Sequence, residues 1–177
     1  EKNLYILNSS KWLFNCGVSS AYSSKLWYLM KTPFSNNFFK QVVSDLSNLY
    51  GSIKGLSRKL LILDLDDTLW GGIVGDVGWK NLRIGGHDYL GEAFHDFQVR
   101  IKSLTNHGVI LALVSKNDES IAVEAIKKHP EMVLSINDFV AHRINWEDKA
   151  KNIVEIVEEL NIGLQSVVFF DDSLFER

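Results

Sequence analysis

Downstream of residue 57, short runs of consecutive apolar residues alternate with longer stretches in which apolar positions recur every three or four residues. The runs lie at 59–64, 109–114 and 166–170, with two further candidates at 132–136 and 139–144. Between them fall Phe94, Phe97, Ile101 and Leu104, then Ile121, Ala122, Ala125 and Ile126, then Ile153, Ile156, Val157 and Leu160. Short continuous runs predict buried strands, and the three-to-four spacing predicts amphipathic helices. Asn106-His107-Gly108, Pro130 and Gly163 supply the helix stops. Strands alternating with helices predict an α/β fold, a Rossmann-like three-layer sandwich with a mostly parallel sheet and right-handed crossovers. The pattern leaves open which of 132–136 and 139–144 joins the sheet.

The first third of the chain reads differently. Residues 4–7 suggest a short strand, followed by a Ser/Asn-rich loop. Ser35 then caps a helix through Phe39, Val42, Val43, Leu46, Leu49 and Tyr50, which Gly51 is expected to stop. The aromatic residues Trp12, Phe14, Tyr22, Trp27 and Tyr28 are expected to pack together. Residues 1–56 are therefore taken as a partial accessory segment and 57–177 as a catalytic core.

Composition narrows the class. With 177 residues, 46% hydrophobic, 23% charged and two prolines, the chain has the makings of one good core and not of a disordered segment. A net charge of -3 without a Lys/Arg cluster provides no electrostatic footprint for nucleic acid or anionic lipid. The apolar runs fall far short of the roughly 20 residues of a membrane span, and no leader-like segment opens the chain. Cys16 is the single cysteine, which excludes an intrachain disulfide and a thiolate zinc site and fits a reducing compartment, the cytoplasm. The chain opens on Glu1 and reads as a processed form or a fragment.

The chemistry concentrates where apolar runs meet acids. The run at 59–64 enters Asp64-Leu65-Asp66-Asp67-Thr68, and the run at 166–170 enters Asp171-Asp172. Ser115 ends the run at 109–114, and Lys149 opens a helix. A parallel sheet carries all its strand ends to one rim, where ligands bind at the switch in strand order. Clustered carboxylates do not all ionise without a cation, and hard oxygen ligands suit Mg2+. A carboxylate can attack phosphorus, a second can move the proton, and a hydroxyl with an ammonium can hold phosphoryl oxygens. Lys116 and Asn117 could also touch phosphate, although Asn117 or Asp118 could equally cap the next helix. Trp70 and Trp146 are expected at the site mouth. His87, His95, His107, His129 and His142 show no metal-ligand spacing and are expected at the surface or in loops.

Taken together, Asp64-Leu65-Asp66-Asp67-Thr68, Ser115, Lys149 and Asp171-Asp172 resemble the four motifs of the haloacid dehalogenase (HAD) superfamily, in order and spacing across residues 59–172. The resemblance implies that Asp64 is the nucleophile and Asp66 the general acid/base, with Ser115 and Lys149 on the phosphoryl group. It assigns Mg2+ to Asp64, the backbone carbonyl of Asp66, Asp171 and Asp172, the last directly or through water. About fifty residues separate Asp64 from Ser115 and fewer separate Ser115 from Lys149, which leaves no room for a cap domain and predicts an open rim. A cap-less core lacking its last strand and helix is expected.

A narrower likeness runs through Thr68-Leu69-Trp70-Gly71-Gly72-Ile73-Val74-Gly75, Gly91-Glu92-Ala93-Phe94, Ser115-Lys116-Asn117-Asp118-Glu119, His129-Pro130-Glu131-Met132 and Ile144-Asn145-Trp146. These resemble the FkbH-like branch, and the segment including Leu26-Trp27-Tyr28 and Lys31-Thr32-Pro33-Phe34-Ser35 resembles the junction in that branch, where a hydrolase-like N-terminal domain precedes the core. The branch is associated with loading a glyceryl unit from 1,3-bisphosphoglycerate, a phosphorylated three-carbon substrate, onto an acyl carrier protein with loss of phosphate, in polyketide biosynthesis. Relatives tend to carry a cysteine where this chain has Val114, and Asn-Pro where it has Ser173-Leu174. The alternatives are a stand-alone small-metabolite phosphatase and a non-catalytic binding module; the intact acids favour an enzyme.

Overall fold

The computed structural model describes residues 4–86 and 88–176, which fall into two compact units, Glu1–Ser57 and Arg58–Arg177.

The first unit is helical, with α1 Ser9–Cys16, α2 Val18–Ala21, α3 Ser24–Met30 and α4 Asn36–Ile53. Residues 4–7 form no strand, and the Ser/Asn-rich stretch after them is helix. Its polar residues act as caps, which explains the misreading: Asn8 accepts from the Ser10 N–H and Ser23 from the Leu26 N–H. Ser35 caps α4 by accepting from the Phe38 N–H. Gly51 does not stop that helix; the chain leaves it at Gly55, whose φ of 72° is the left-handed value that favours glycine. Phe34 stacks on Phe38 at 4.2 Å between centroids, and Trp12 meets Phe38 edge-on at 5.9 Å. Phe14, Trp27 and Tyr28, expected in this cluster, are exposed, and Tyr22, also exposed, meets Phe34 at 5.5 Å between centroids.

The second unit is built on four parallel strands, β1 Leu60–Leu63, β2 Ile110–Ser115, β3 Phe139–Ile144 and β4 Val167–Phe170, in the order β3-β2-β1-β4. Residues 139–144 thus supply the third strand. The stretch 132–136 stays outside the sheet because the Val133 and Leu134 N–H groups donate to the Gln98 side chain. Helices α5 Val74–Val77 and α6 Tyr89–Thr105 lie between β1 and β2, α7 Glu119–Lys128 between β2 and β3, and α8 Lys149–Glu159 between β3 and β4. Alternation along the strands sorts the core into two faces. Leu63, Leu111 and Leu113 pack with Ile101, Ala122 and Ile126 from α6 and α7. Leu60, Ile62, Ala112 and Val114 pack with Ile156 and Val157 of α8. The fold is therefore a three-layer α/β sandwich, and among the described residues none of the three crossovers contains a cap domain.

The glycine-rich stretch after β1 folds back on itself. Gly71 and Arg83 exchange N–H···O bonds of 3.1 and 3.0 Å. A Cβ on Gly71 would lie 2.9 Å from the Phe94 ring, so glycine lets α6 approach this closely. Gly91 is under the same constraint, since a Cβ there would strike the Gly85 carbonyl oxygen.

Candidate active site

β1 has β2 on one side and β4 on the other, while the chain runs β1, β2, β3 before crossing back to β4. The switch in strand order thus lies beside β1, and the residues leaving the neighbouring strands meet at its carboxyl end. Asp64 follows β1 directly, and its N–H donates to the Phe170 carbonyl at the end of β4 at 3.1 Å. Ser115 closes β2, Asp171 and Asp172 follow β4, and Lys149 opens α8 behind its Asp148 cap. Asn145 and Asn152 hold that helix start in place through paired amide bonds of 2.8 and 3.3 Å, and the Asn145 N–H donates to the Ser115 carbonyl.

These side chains converge in a buried cluster. The Lys149 ammonium lies 3.0 Å from Asp64 Oδ2 and 2.7 Å from Asp171 Oδ2. Asp64, Ser115, Lys149 and Asp171 are all buried, and Asp172 is exposed. Burial pushes the Asp64 carboxyl above the ordinary carboxylate range, against the Ser115 hydroxyl and the Lys149 ammonium, which pull it down. Lys149 is also desolvated, yet the Asp171 and Asp64 carboxylates hold its pKa above the usual lysine value. The balance differs at the two groups: the lysine has two anionic partners to offset its burial, whereas Asp64 shares a single cation and burial prevails.

The donor set fits a divalent cation. Asp64 Oδ1 is buried with no hydrogen-bond partner, although buried carboxylate oxygens are normally satisfied. Asp64, Asp171 and Asp172 each offer an oxygen within 4.8 Å of the others. Three carboxyl groups face one ammonium here, so the fully ionised set would carry two negative charges in excess. An oxygen-only set of that charge suits a hard divalent ion.

The remaining candidates are placed less as expected. Asp66 is partly buried; its Oδ1 accepts from the Trp70 indole N–H at 2.8 Å and the Val74 N–H at 3.0 Å, and its Oδ2 accepts from the Asn117 amide at 2.8 Å. Trp70 is not at the mouth of the site but fully buried, whereas Trp146 is 76% exposed. Asn117 faces Asp66 and Ser115, the latter at 3.4 Å. Helix α7 takes Asp118 as its cap, which accepts from the Ser120 and Ile121 N–H groups. Lys116 pairs with Glu176 at 2.7 Å. Asp67 has φ 50° and accepts from the Gly72 N–H at 2.7 Å, so its work is in the turn. His142 is not in a loop but in β3, 3.0 Å from Glu119; His87 lies outside the described residues. The link from Trp70 to Asp66 left one trace in the sequence, a tryptophan four residues after an acid. The contact from Asn117, 51 residues away, left none.

The fold is a Rossmann-like three-layer α/β core on a parallel sheet. The chain matches, over 98% of its length, at 40% identity and a TM-score of 0.87, the crystal structure of the N-terminal part of the protein BF1531 from Bacteroides fragilis, which contains a phosphatase domain and is complexed with Mg. It spans 46% of that chain. A haloacid dehalogenase-like family hydrolase from Xanthomonas campestris is a more distant likeness, at 15% identity over 67% of this chain and 75% of that one, with a TM-score of 0.44. So is the 3-deoxy-D-manno-octulosonate 8-phosphate phosphatase from Moraxella catarrhalis, in complex with magnesium, phosphate and KDO, at 21% identity over 69% and 63% and a TM-score of 0.38. No protein-family model and no curated protein matches the chain.

Proposed function

We propose that the core at residues 57–177 is a Mg2+-dependent phosphatase that works through an aspartyl phosphate on Asp64. The observation that carries this reading is the buried, unpartnered Asp64 Oδ1 beside Asp171 and Asp172, with Lys149 on the other oxygen. The phosphatase domain of the Bacteroides fragilis protein, complexed with Mg, supports it. Asp64, Asp171 and Asp172 would hold the ion, with the Asp66 backbone carbonyl as a further ligand. When bound, Mg2+ offsets the charge on the phosphoryl oxygens.

The chain's own residues divide the rest of the work. An Asp64 oxygen forms a bond to phosphorus as the bond to the leaving oxygen breaks, and Asp66 gives that oxygen its proton. Ser115 and Lys149 hold the phosphoryl oxygens. Water then attacks phosphorus, Asp66 takes up the water proton, and phosphate leaves with Asp64 regenerated. Phosphate release from an aryl phosphate with Mg2+ tests the reading, and unchanged release by Asp64→Asn would sink it.

The finer proposal concerns the substrate. An open rim with no cap among the described residues suits a phosphorylated group presented on another protein. We take this as an acyl carrier protein receiving a glyceryl unit from 1,3-bisphosphoglycerate with loss of phosphate. Val114, fully buried against α8, offers no thiol beside Ser115; in this proposal the carrier thiol attacks the C1 carbonyl and expels the acyl phosphate, and the remaining 3-phosphate passes through Asp64 to water. Mass spectrometry of the carrier protein after incubation with the chain, Mg2+ and 1,3-bisphosphoglycerate should show a glyceryl adduct. Phosphate release without an adduct would leave a metabolite phosphatase.

A further inference from the structure

Asp66 leaves β1 on a turn that closes through the Leu69 N–H to the Leu65 carbonyl at 2.8 Å and brings Trp70 back beside it. Trp70 has no exposed surface, and a buried indole N–H needs an acceptor. It finds one in Asp66 Oδ1, which also accepts from the Val74 N–H. Oδ2 accepts one bond, from Asn117, whose side chain is itself buried and also reaches Ser115 Oγ. A carboxylate only accepts, so the Asn117 amide must turn its nitrogen toward Asp66. That orientation follows from chemistry alone.

A carboxylate offers about four acceptor positions, and here three are filled unequally. Oδ1 holds two donors, both from groups fixed by their own burial or by the backbone. Oδ2 holds one and keeps a position open. A proton on Oδ1 would displace the indole or the Val74 N–H and strand a buried donor, which costs about 1–3 kcal/mol. A proton on Oδ2 displaces nothing.

We infer that Trp70 and Asn117 are positioning residues for Asp66: Trp70 holds Oδ1 as the fixed oxygen, and Asn117 aims Oδ2, the oxygen that gives and takes the proton. This rests on the phosphatase reading, in which Asp66 protonates the leaving group. It gives a physical task to the tryptophan of the Trp70-Gly71-Gly72 sequence, and it couples the proton donor to Ser115 through one amide.

The test compares two esters on the full chain with Mg2+. Phenyl phosphate has a leaving group that needs a proton, and p-nitrophenyl phosphate has one that barely does. Trp70→Phe and Asn117→Ala should each lower kcat on phenyl phosphate by about 10- to 100-fold, within the range of general acid catalysis, and change kcat on p-nitrophenyl phosphate by less than about threefold. Equal losses on both esters, with Asp66→Ala showing the unequal pattern, would overturn the positioning role and leave the phosphatase reading standing. Equal losses with Asp66→Ala, or no turnover of either ester by the parent chain, would overturn that reading and the role of Oδ2 with it. Indole N–H NMR spectra of the metal-free chain decide the contact itself without turnover. The resonance deleted by Trp70→Phe should be the one that Asp66→Ala shifts, and its staying in place refutes the hydrogen bond. Asn117→Ala keeps the experiment decisive should Trp70→Phe fail to fold.

Discussion

Asp64 combines the features that catalysis requires and folding disfavours: it is buried, ionisable and left with one oxygen unsatisfied. Its folded-state pKa is raised, chiefly by burial. A carboxyl raised in this way favours folding below its unfolded value of about 3.9, and that contribution is lost as pH rises through the folded value. Ionising Asp64 in the folded, metal-free chain therefore costs stability, through its burial. Asp64→Asn should raise the melting temperature of the metal-free chain at pH 7 by about 2–4 °C, an advantage that shrinks as pH falls toward 4, and should abolish the stabilisation that Mg2+ gives the parent. The Lys149 pKa is raised as well, but in a base this favours the charged form, because its two carboxylate partners hold its charge in place. Lys149→Met leaves those carboxylates facing each other uncompensated and should cost about 3–5 kcal/mol in urea unfolding of the metal-free chain, with part of the loss restored by Mg2+.

Helix α6 fixes the position of the loop that carries the acids. Gln98, on its buried face, donates to the Leu69 carbonyl at 2.8 Å and accepts from the Val133 and Leu134 N–H groups at 3.0 and 3.2 Å. One side chain thus ties the turn after Asp66 to the segment before β3. Gln98→Leu keeps the volume and orphans three backbone groups, two of them buried, so it should destabilise by about 3 kcal/mol in urea unfolding. Amide exchange should quicken at Val133 and Leu134 before it does in β1. The helical periodicity of α6 was plain from Phe94, Phe97 and Ile101. The importance of Gln98 was not, because a glutamine among those apolar positions reads equally as a solvated residue until its partners, 29 to 36 positions away, are known.

Across the whole chain, the division into Glu1–Ser57 and Arg58–Arg177 falls in an exposed stretch that includes Lys54 and Arg58. Lys59 already belongs to the sheet, since its N–H donates to the Ser166 carbonyl and its carbonyl accepts from the Ile110 N–H. Brief trypsin treatment should therefore cut at Lys54 or Arg58 ahead of sites in the sheet. The resulting fragment of about 120 residues, read by mass spectrometry, should resist further cleavage longer in Mg2+ than in chelator, because ion binding to the folded state stabilises it by mass action. Among the described residues no helix is long and apolar enough to cross a membrane.

The parallel sheet was legible in the chain itself because period and run length are local properties, and β1, β2, β4, α6, α7 and α8 follow from them. So was the grouping of Asp64, Ser115, Lys149 and Asp171, since parallel strands must deliver their ends to one rim. The helices at Ser9–Cys16 and Ser24–Met30 were not, because Asn8 and Ser23 cap helices with the same side chains that favour loops. Nor could local pattern decide between 132–136 and 139–144, two apolar runs separated only by which one finds strand partners and which meets Gln98. Tertiary structure alone placed Trp70 and Asn117 on Asp66. Hydrogen bonds between side chains depend on where backbone segments come to lie: Trp70, four residues after Asp66, left only a local trace, and Asn117, 51 residues away, left none.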